Sequence, residues 1–168
     1  MNDDDARPSA MTDPTLVPLE QLEVHPDNPR IGDVGAIMRS LEANGQYRPI
    51  VANARTNRIL AGNHTYKAAK RLGWPSIAVS WVDVDEAAER RIVLVDNRAA
   101  DVASYDDHAL TELLRAVAEE STLVGTGYSD DDLDRMLTKM VAPDPPDDFP
   151  DVDLGTSHEC PACGYQWS

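Results

Sequence analysis

The residues with the most chemistry in the smallest space are Gly62 to Gly73, which read GNHTYKAAKRLG. An apolar run, Ile59-Leu60-Ala61, ends in a glycine and passes into a basic, helix-forming stretch. A strand, a glycine and a helix start together present unpaired backbone N–H groups, and these hold an anion. Asn63, His64 and Thr65 follow the glycine and are polar enough to face a ligand, while Lys67, Lys70 and Arg71 add positive charge. His64 has two readings: an acid or base near neutral pH, or a hydrogen-bond donor to phosphate or backbone. A second constellation is Cys160-Pro-Ala-Cys163-Gly, two thiols at the spacing of a zinc knuckle, with His158 as a third donor. It reads either as half of a tetrahedral zinc site or as a reduced tail.

Charge follows the same division. The chain has 168 residues and a formal net charge of −15, which by itself argues against nucleic acid as a partner. Residues 30–98 nevertheless hold eleven bases against seven acids, and the excess acid lies to either side. The positive region surrounds the glycine turn. Residues 99–139 carry ten acids and three bases, so their helices suit a protein partner better than a DNA groove.

The elements that must position these groups can be read in order. Residues 1–14 are polar and aperiodic, a disordered tail. Residues 16–24 contain a proline and suggest an edge strand with a turn. Pro26 and Pro29 stiffen the next loop, which can aim Asn28 and Arg30 at a neighbour. Val34, Ile37, Met38 and Leu41 have helical spacing, and Gly45 ends that helix. Residues 49–52 and 58–61 form a hairpin that delivers the chain to Gly62, and residues 76–82 alternate as a strand. A helix over 85–103 is capped by Asp85, with Ala88, Ile92, Val95 and Ala99 as its apolar stripe. Helical patterns recur at 107–119 and from Ser129 onward. His25 reads as a loop residue, and Trp74 and Trp81 as core or rim aromatics.

Asn28-Pro-Arg30, GQYRPIVA at 45–52, ILAGNHTYKAAKRLG at 59–73 and Val95-Asp-Asn-Arg98 occur in the order and spacing of the ParB/sulfiredoxin-like domain family, which the chain resembles over residues 16–105. The stretch GTGYSDDDLDRML resembles a segment that follows such domains in phage proteins. The resemblance implies an α+β fold with a small mixed sheet over residues 15–105. A helical extension (106–141), an acidic Pro-rich linker (142–157) and a half zinc-knuckle tail (158–168) follow. It also implies a site for nucleotide or DNA phosphates, in the ParB branch those of CTP, with nuclease or nucleotide phosphohydrolase activity in related domains. Arg30, Gly62, Asn63, His64, Thr65 and Lys67 would hold the phosphates. Asp96 and Asn97 match an acid-Asn pair that helps hold a divalent cation, so Mg²⁺ with CTP or ATP is the implied cofactor, beside Zn²⁺ at the cysteines. If turnover occurs, His64 and Asp96 are its candidate catalytic groups.

The departures bear on activity. Where partition proteins have Glu-Arg-Arg after the glycine, this chain has Asn63-His64-Thr65, without the acid that would serve as base or metal ligand. Asn63 is no sulfur nucleophile, which excludes sulfiredoxin chemistry. The alternatives are a non-catalytic DNA- or protein-binding adaptor that keeps the fold and, less favoured, a free-serine kinase. No apolar run approaches 18 residues and no signal peptide is visible, so we expect a protein of the bacterial or phage-infected cytosol, without membrane contact, with a dimer left open as one oligomeric state.

Overall fold

The computed structural model describes residues 11–141 and 158–167. Residues 1–10 of the acidic tail expected at 1–14, and the whole linker at 142–157, lie outside the described residues. The described end of that tail is not free: Thr12 donates its N–H to the Trp81 carbonyl at 3.1 Å, and its hydroxyl accepts the Trp81 N–H.

Five strands form one mixed sheet: β1 (Thr15–Pro18), β2 (Glu23–Val24), β3 (Ile50–Asn53), β4 (Arg58–Ala61) and β5 (Ser76–Val82). Their order is β1-β5-β3-β4-β2. The β1–β5 and β3–β4 pairs are antiparallel, while β5–β3 and β4–β2 are parallel. The proline-bearing β1 is an edge strand, as its sequence requires, because proline has no N–H for an inner ladder.

Side chains alternate between the two faces of a strand, and the core divides accordingly. Ile50, Ala52, Ile59, Ile77 and Val79 point to one face, where they meet α1 (Val34–Asn44) and α2 (Asn63–Arg71). Leu60, Val82 and Val51 point to the other, where Val93 and Ile92 of α3 (Glu86–Val102) cover them. Ala68 and Ala69 are fully buried, and their small side chains let α2 lie close to the sheet. Asp33 caps α1 by accepting from the N–H groups of Gly35 and Ala36, and Asp85 caps α3 through Ala88.

Of the apolar stripe expected on α3, Ile92 packs on the sheet and Ala88 is half-buried, but the second half departs from it. Val95 is 62% exposed and Ala99 is also exposed, whereas Glu89 and Val93 are buried. The helix is turned so that a carboxylate faces inward, where Asn53 and Arg58 of the sheet, Thr56 of its hairpin turn and His25 of the loop after β2 meet it.

Two further helices, α4 (Asp107–Glu120) and α5 (Asp130–Val141), pack through Leu114, Leu123 and Leu133. Ser129 and Asp132 cap α5 reciprocally. The loop between these helices docks on the end of α1, where Asn44 donates to the Gly125 carbonyl at 3.1 Å. A β-carbon at Gly125 would stand 2.6 Å from that of Ala43. A short hairpin, β6 (His158–Glu159) and β7 (Gln166–Trp167), carries the cysteines in its turn. Among the described residues no helix is long and apolar enough to cross a membrane.

Candidate functional site

A cleft of about 390 Å³ opens at the start of α2, lined by Arg30, Arg48, the Gly62–Thr65 turn and the Asp96–Asn97 pair, with Asn28 at its rim. The volume suits a small ligand. Four segments separated in sequence meet there, and each is held by identifiable contacts.

Gly62 has φ 89° and ψ 23°, the left-handed conformation that lets β4 turn directly into α2. A β-carbon there would lie 2.5 Å from Cγ2 of Ile50, so the position excludes any side chain. No side chain caps α2. Its first N–H groups are therefore left for a ligand, and the helix dipole favours an anion at that end.

The residues after the glycine are used differently from one another. Asn63 is buried; its Oδ1 accepts the N–H of His25 at 3.2 Å and its Nδ2 donates to the Ile59 carbonyl at 3.1 Å. Its side chain fastens the loop before Arg30 to the glycine turn. Nε2 of His64 accepts the N–H of Gly32 at 2.9 Å. Burial, then the charges of Lys67 and Arg30, push the His64 imidazole below its ordinary pKa, against a hydrogen bond with the Arg30 backbone. His64 thus pins the Asn28–Gly32 loop as an acceptor through Nε2, and its hydrogen bond with the Arg30 backbone is the contact that favours the protonated ring. Thr65 borders the cleft; Lys67 is not among the lining residues but lies within electrostatic reach of His64.

Across the cleft, Nη1 of Arg30 donates to the Asn97 carbonyl and to Oδ1 of Asp101, both at 2.8 Å. Nδ2 of Asn97 donates to Oδ1 of Asn28 at 3.0 Å. The loop and α3 are therefore clasped together beside the cleft. Asp96 is exposed and borders the cleft. Asp96 and the Asn97 amide oxygen are hard oxygen donors of the kind Mg²⁺ takes when phosphates supply other positions. Among the described residues no group of three His, Cys, Asp or Glu is gathered for a metal.

Two features were not apparent from residue types and spacing. Arg48 stands in the quoted GQYRPIVA motif, and its place in the cleft comes from Gln46. That side chain donates to the Ala78 carbonyl at 2.9 Å and accepts the Ala78 N–H at 2.7 Å, fixing the loop against β5. The other is a sealed polar hub. Glu89 accepts from Nδ2 of Asn53 at 2.6 Å, from the Thr56 hydroxyl at 3.0 Å and from Nη1 of Arg58 at 3.3 Å. Nε2 of His25 stands 3.1 Å away.

The family model described as the ParB N-terminal domain matches residues 4–98, more than half of the chain. The chain belongs to the ParB N-terminal domain family. Among solved structures, this ParB-family chain is similar to the C-terminally truncated chromosome-partitioning protein ParB from Caulobacter crescentus complexed with CTP-gamma-S. The TM-score is 0.67 at 20% identity, over 79% of this chain and 81% of that one. Sulfiredoxin from Arabidopsis thaliana also matches, at a TM-score of 0.44 and 23% identity, over 49% of this chain and 98% of that one. A search of the curated proteins finds no match. At these identities the structural likeness concerns the fold, and the expectation of a mixed-sheet ParB/sulfiredoxin-like domain is borne out.

At the C-terminus the turn holding Cys160 and Cys163 is closed by Gly164 N–H to the Cys160 carbonyl at 2.8 Å. His158, expected as a third zinc ligand, stacks on Trp167 with ring centroids 5.7 Å apart.

Proposed function

We propose that this ParB-family domain binds a nucleotide through its phosphates at the Gly62 turn, with a divalent cation carried between the phosphates and Asp96–Asn97. The observation that carries the reading is the shared cleft. An uncapped helix start, two arginines on separate segments and an oxygen-donor pair face the same volume. Arginine from opposite sides suits a phosphate, which accepts paired hydrogen bonds. CTP and ATP are the nucleotides to test first, since a structure of similar fold was solved with CTP-gamma-S. A DNA phosphodiester is the other ligand with the same phosphate chemistry.

Binding has more support than turnover. Hydrolysis needs a base near the attacked phosphorus. Nε2 of His64 is already taken by Gly32, and the Asn63 amide by His25 and Ile59. Asp96 is the carboxylate left beside the cleft. The same two engagements favour the adaptor as the second reading, with a fold that responds to a bound nucleotide or to none.

Calorimetry with CTP, ATP and GTP in Mg²⁺, on the wild type and on Arg30→Ala, tests the proposal. Saturable binding of one nucleotide, weakened in the variant, is the expected result. No heat with any of them at millimolar concentration removes the nucleotide reading and leaves the adaptor. Plasmid nicking and phosphate release measured on the same samples decide turnover.

A further inference from the structure

The outer face of α3 carries an exposed stripe of apolar and basic side chains. Arg91, Leu94, Val95, Arg98 and Val102 follow the i, i+3, i+4, i+7, i+11 spacing of one helix face. Leu94 is 61% exposed, Val95 62% and Val102 62%, and both arginines are exposed as well. The inward side of the helix is already taken, since Glu89 and Val93 are buried and Ile92 packs on the sheet. From Arg91 to Val102 the stripe is about 17 Å long. Apolar side chains gathered in this way on a surface mark an interaction site.

A matching occupant is apolar and acidic, and this chain contains such a segment within reach. Residues 142–157, outside the described residues, read APDPPDDFPDVDLGTS, with five aspartates, no base, and Phe149, Val152 and Leu154. Where the segment starts is fixed by the ion pair of Lys139 Nζ with Oδ2 of Asp107 at 2.8 Å. That contact sets the last turn of α5 against the first turn of α4, five residues beyond the end of α3. The chain therefore leaves Val141 near the Val102 end of the stripe. Sixteen residues extend to about 50 Å, well beyond the length of the stripe. The charges also match in spacing. Arg91 and Arg98 are about 10 Å apart along the helix. Asp148 and Asp151 are about 10 Å apart in an extended chain, with Phe149 between them.

We propose that the acidic segment 144–154 docks on the Arg91–Val102 face of α3 in the same chain. Phe149 is seated against Leu94, Val95 and Val102, while Asp148 and Asp151 pair with Arg98 and Arg91. The contact covers the outside of the helix whose Asp96 and Asn97 line the cleft. It stands whether or not the cleft takes a nucleotide.

The chain has one phenylalanine, so its ring is a single reporter. The full chain is labelled at phenylalanine and at the leucine and valine methyls, and through-space NMR contacts of the ring are recorded. The expected result is contact with the methyls of Leu94, Val95 and Val102. Arg91→Glu with Arg98→Glu should remove those contacts, and adding Asp148→Lys with Asp151→Lys should restore them. Unchanged methyl shifts at the buried Leu60 and Val79 show that each variant keeps its fold. A ring without contact to α3 overturns the proposal, as does one whose contacts survive the charge reversal. A mixture of chains labelled only at phenylalanine with chains labelled only at the methyls decides the source. Contacts that appear in that mixture come from a second copy and overturn docking within the chain.

Discussion

Nε2 of His25 lies 3.1 Å from Oε1 of Glu89, and both side chains are sealed from solvent. The approach is too oblique for a full hydrogen bond, so the contact is chiefly electrostatic. Nδ1 of the same ring accepts the Asp27 N–H at 3.1 Å, which leaves the ring proton facing the carboxylate. The pair matters because of what each partner holds. His25 begins the loop to Arg30 and is fastened to Asn63, while Glu89 sits on the helix that carries Asp96 and Asn97. Three of the segments that line the cleft are joined behind it.

Replacing Glu89 therefore removes more than one contact. Glu89→Ala takes the acceptor from Asn53, Thr56 and Arg58 and the carboxylate from beside His25, and each buried donor left unsatisfied costs about 1–3 kcal/mol. Glu89→Gln keeps the shape and loses less. Urea unfolding of both variants measures the difference, and losses within error of each other contradict a role for the charge.

Acid should act through the same carboxylate. Burial pushes Glu89 up, but hydrogen bonds from Asn53, Thr56 and Arg58, and then the His25 ring, prevail and hold it below its ordinary pKa. A depressed carboxylate stabilises the fold above its unfolded value, about 4.3. That contribution is lost as pH falls through the lower folded value. Stability measured from pH 6 to 3 should fall more steeply in the wild type than in Glu89→Gln. Parallel curves would show that another group governs the acid limb.

His64 gives a second titration with the opposite use. Its folded pKa is depressed by burial and by Lys67 and Arg30, so its contribution to stability is present above about pH 6.5 and lost as pH falls below it. Protonation also abolishes its acceptance of the Gly32 N–H. The NMR midpoint of His64 should lie below 6.5 in the free protein and rise when a phosphate ligand neutralises the cleft. A midpoint unmoved by saturating nucleotide places the ligand elsewhere.

Much of this arrangement was legible before any coordinates. Gly62 stood out because a glycine between an apolar strand and a basic helix has few other uses, and its φ of 89° against Ile50 bears that out. The hairpin, α1 and the caps Asp85 and Ser129 followed from short-range patterns, which local physics decides. His25 and Glu89 could not be read that way. Sixty-four residues separate them, and each looks like a surface group until the sheet brings them together. Val95 and Ala99 misled for the related reason that helical spacing shows a face without showing which face is inward. Arg48 was visible, but its cleft depends on Gln46 reaching Ala78.

If the cleft takes a phosphate as proposed, the Arg30–Asp101 contact competes with it for the guanidinium. The guanidinium now shares Nη1 between the Asn97 carbonyl and Oδ1 of Asp101, with both side chains partly exposed. An exposed pair of this kind contributes about 0–1 kcal/mol to stability, so Asp101→Asn should fold normally. It also removes a negative charge that competes with the ligand for Arg30. Arg30→Ala, by contrast, loses a charge-assisted contact worth about 1.5–3 kcal/mol, roughly ten- to 150-fold in affinity. The two variants should move nucleotide affinity in opposite directions, Asp101→Asn tighter and Arg30→Ala weaker. Tighter binding should be most evident at low salt, where exposed charges are least screened. Equal weakening in both means that Asp101 supports Arg30 in its binding position instead of competing for it, and calorimetry in low and high salt separates the two cases.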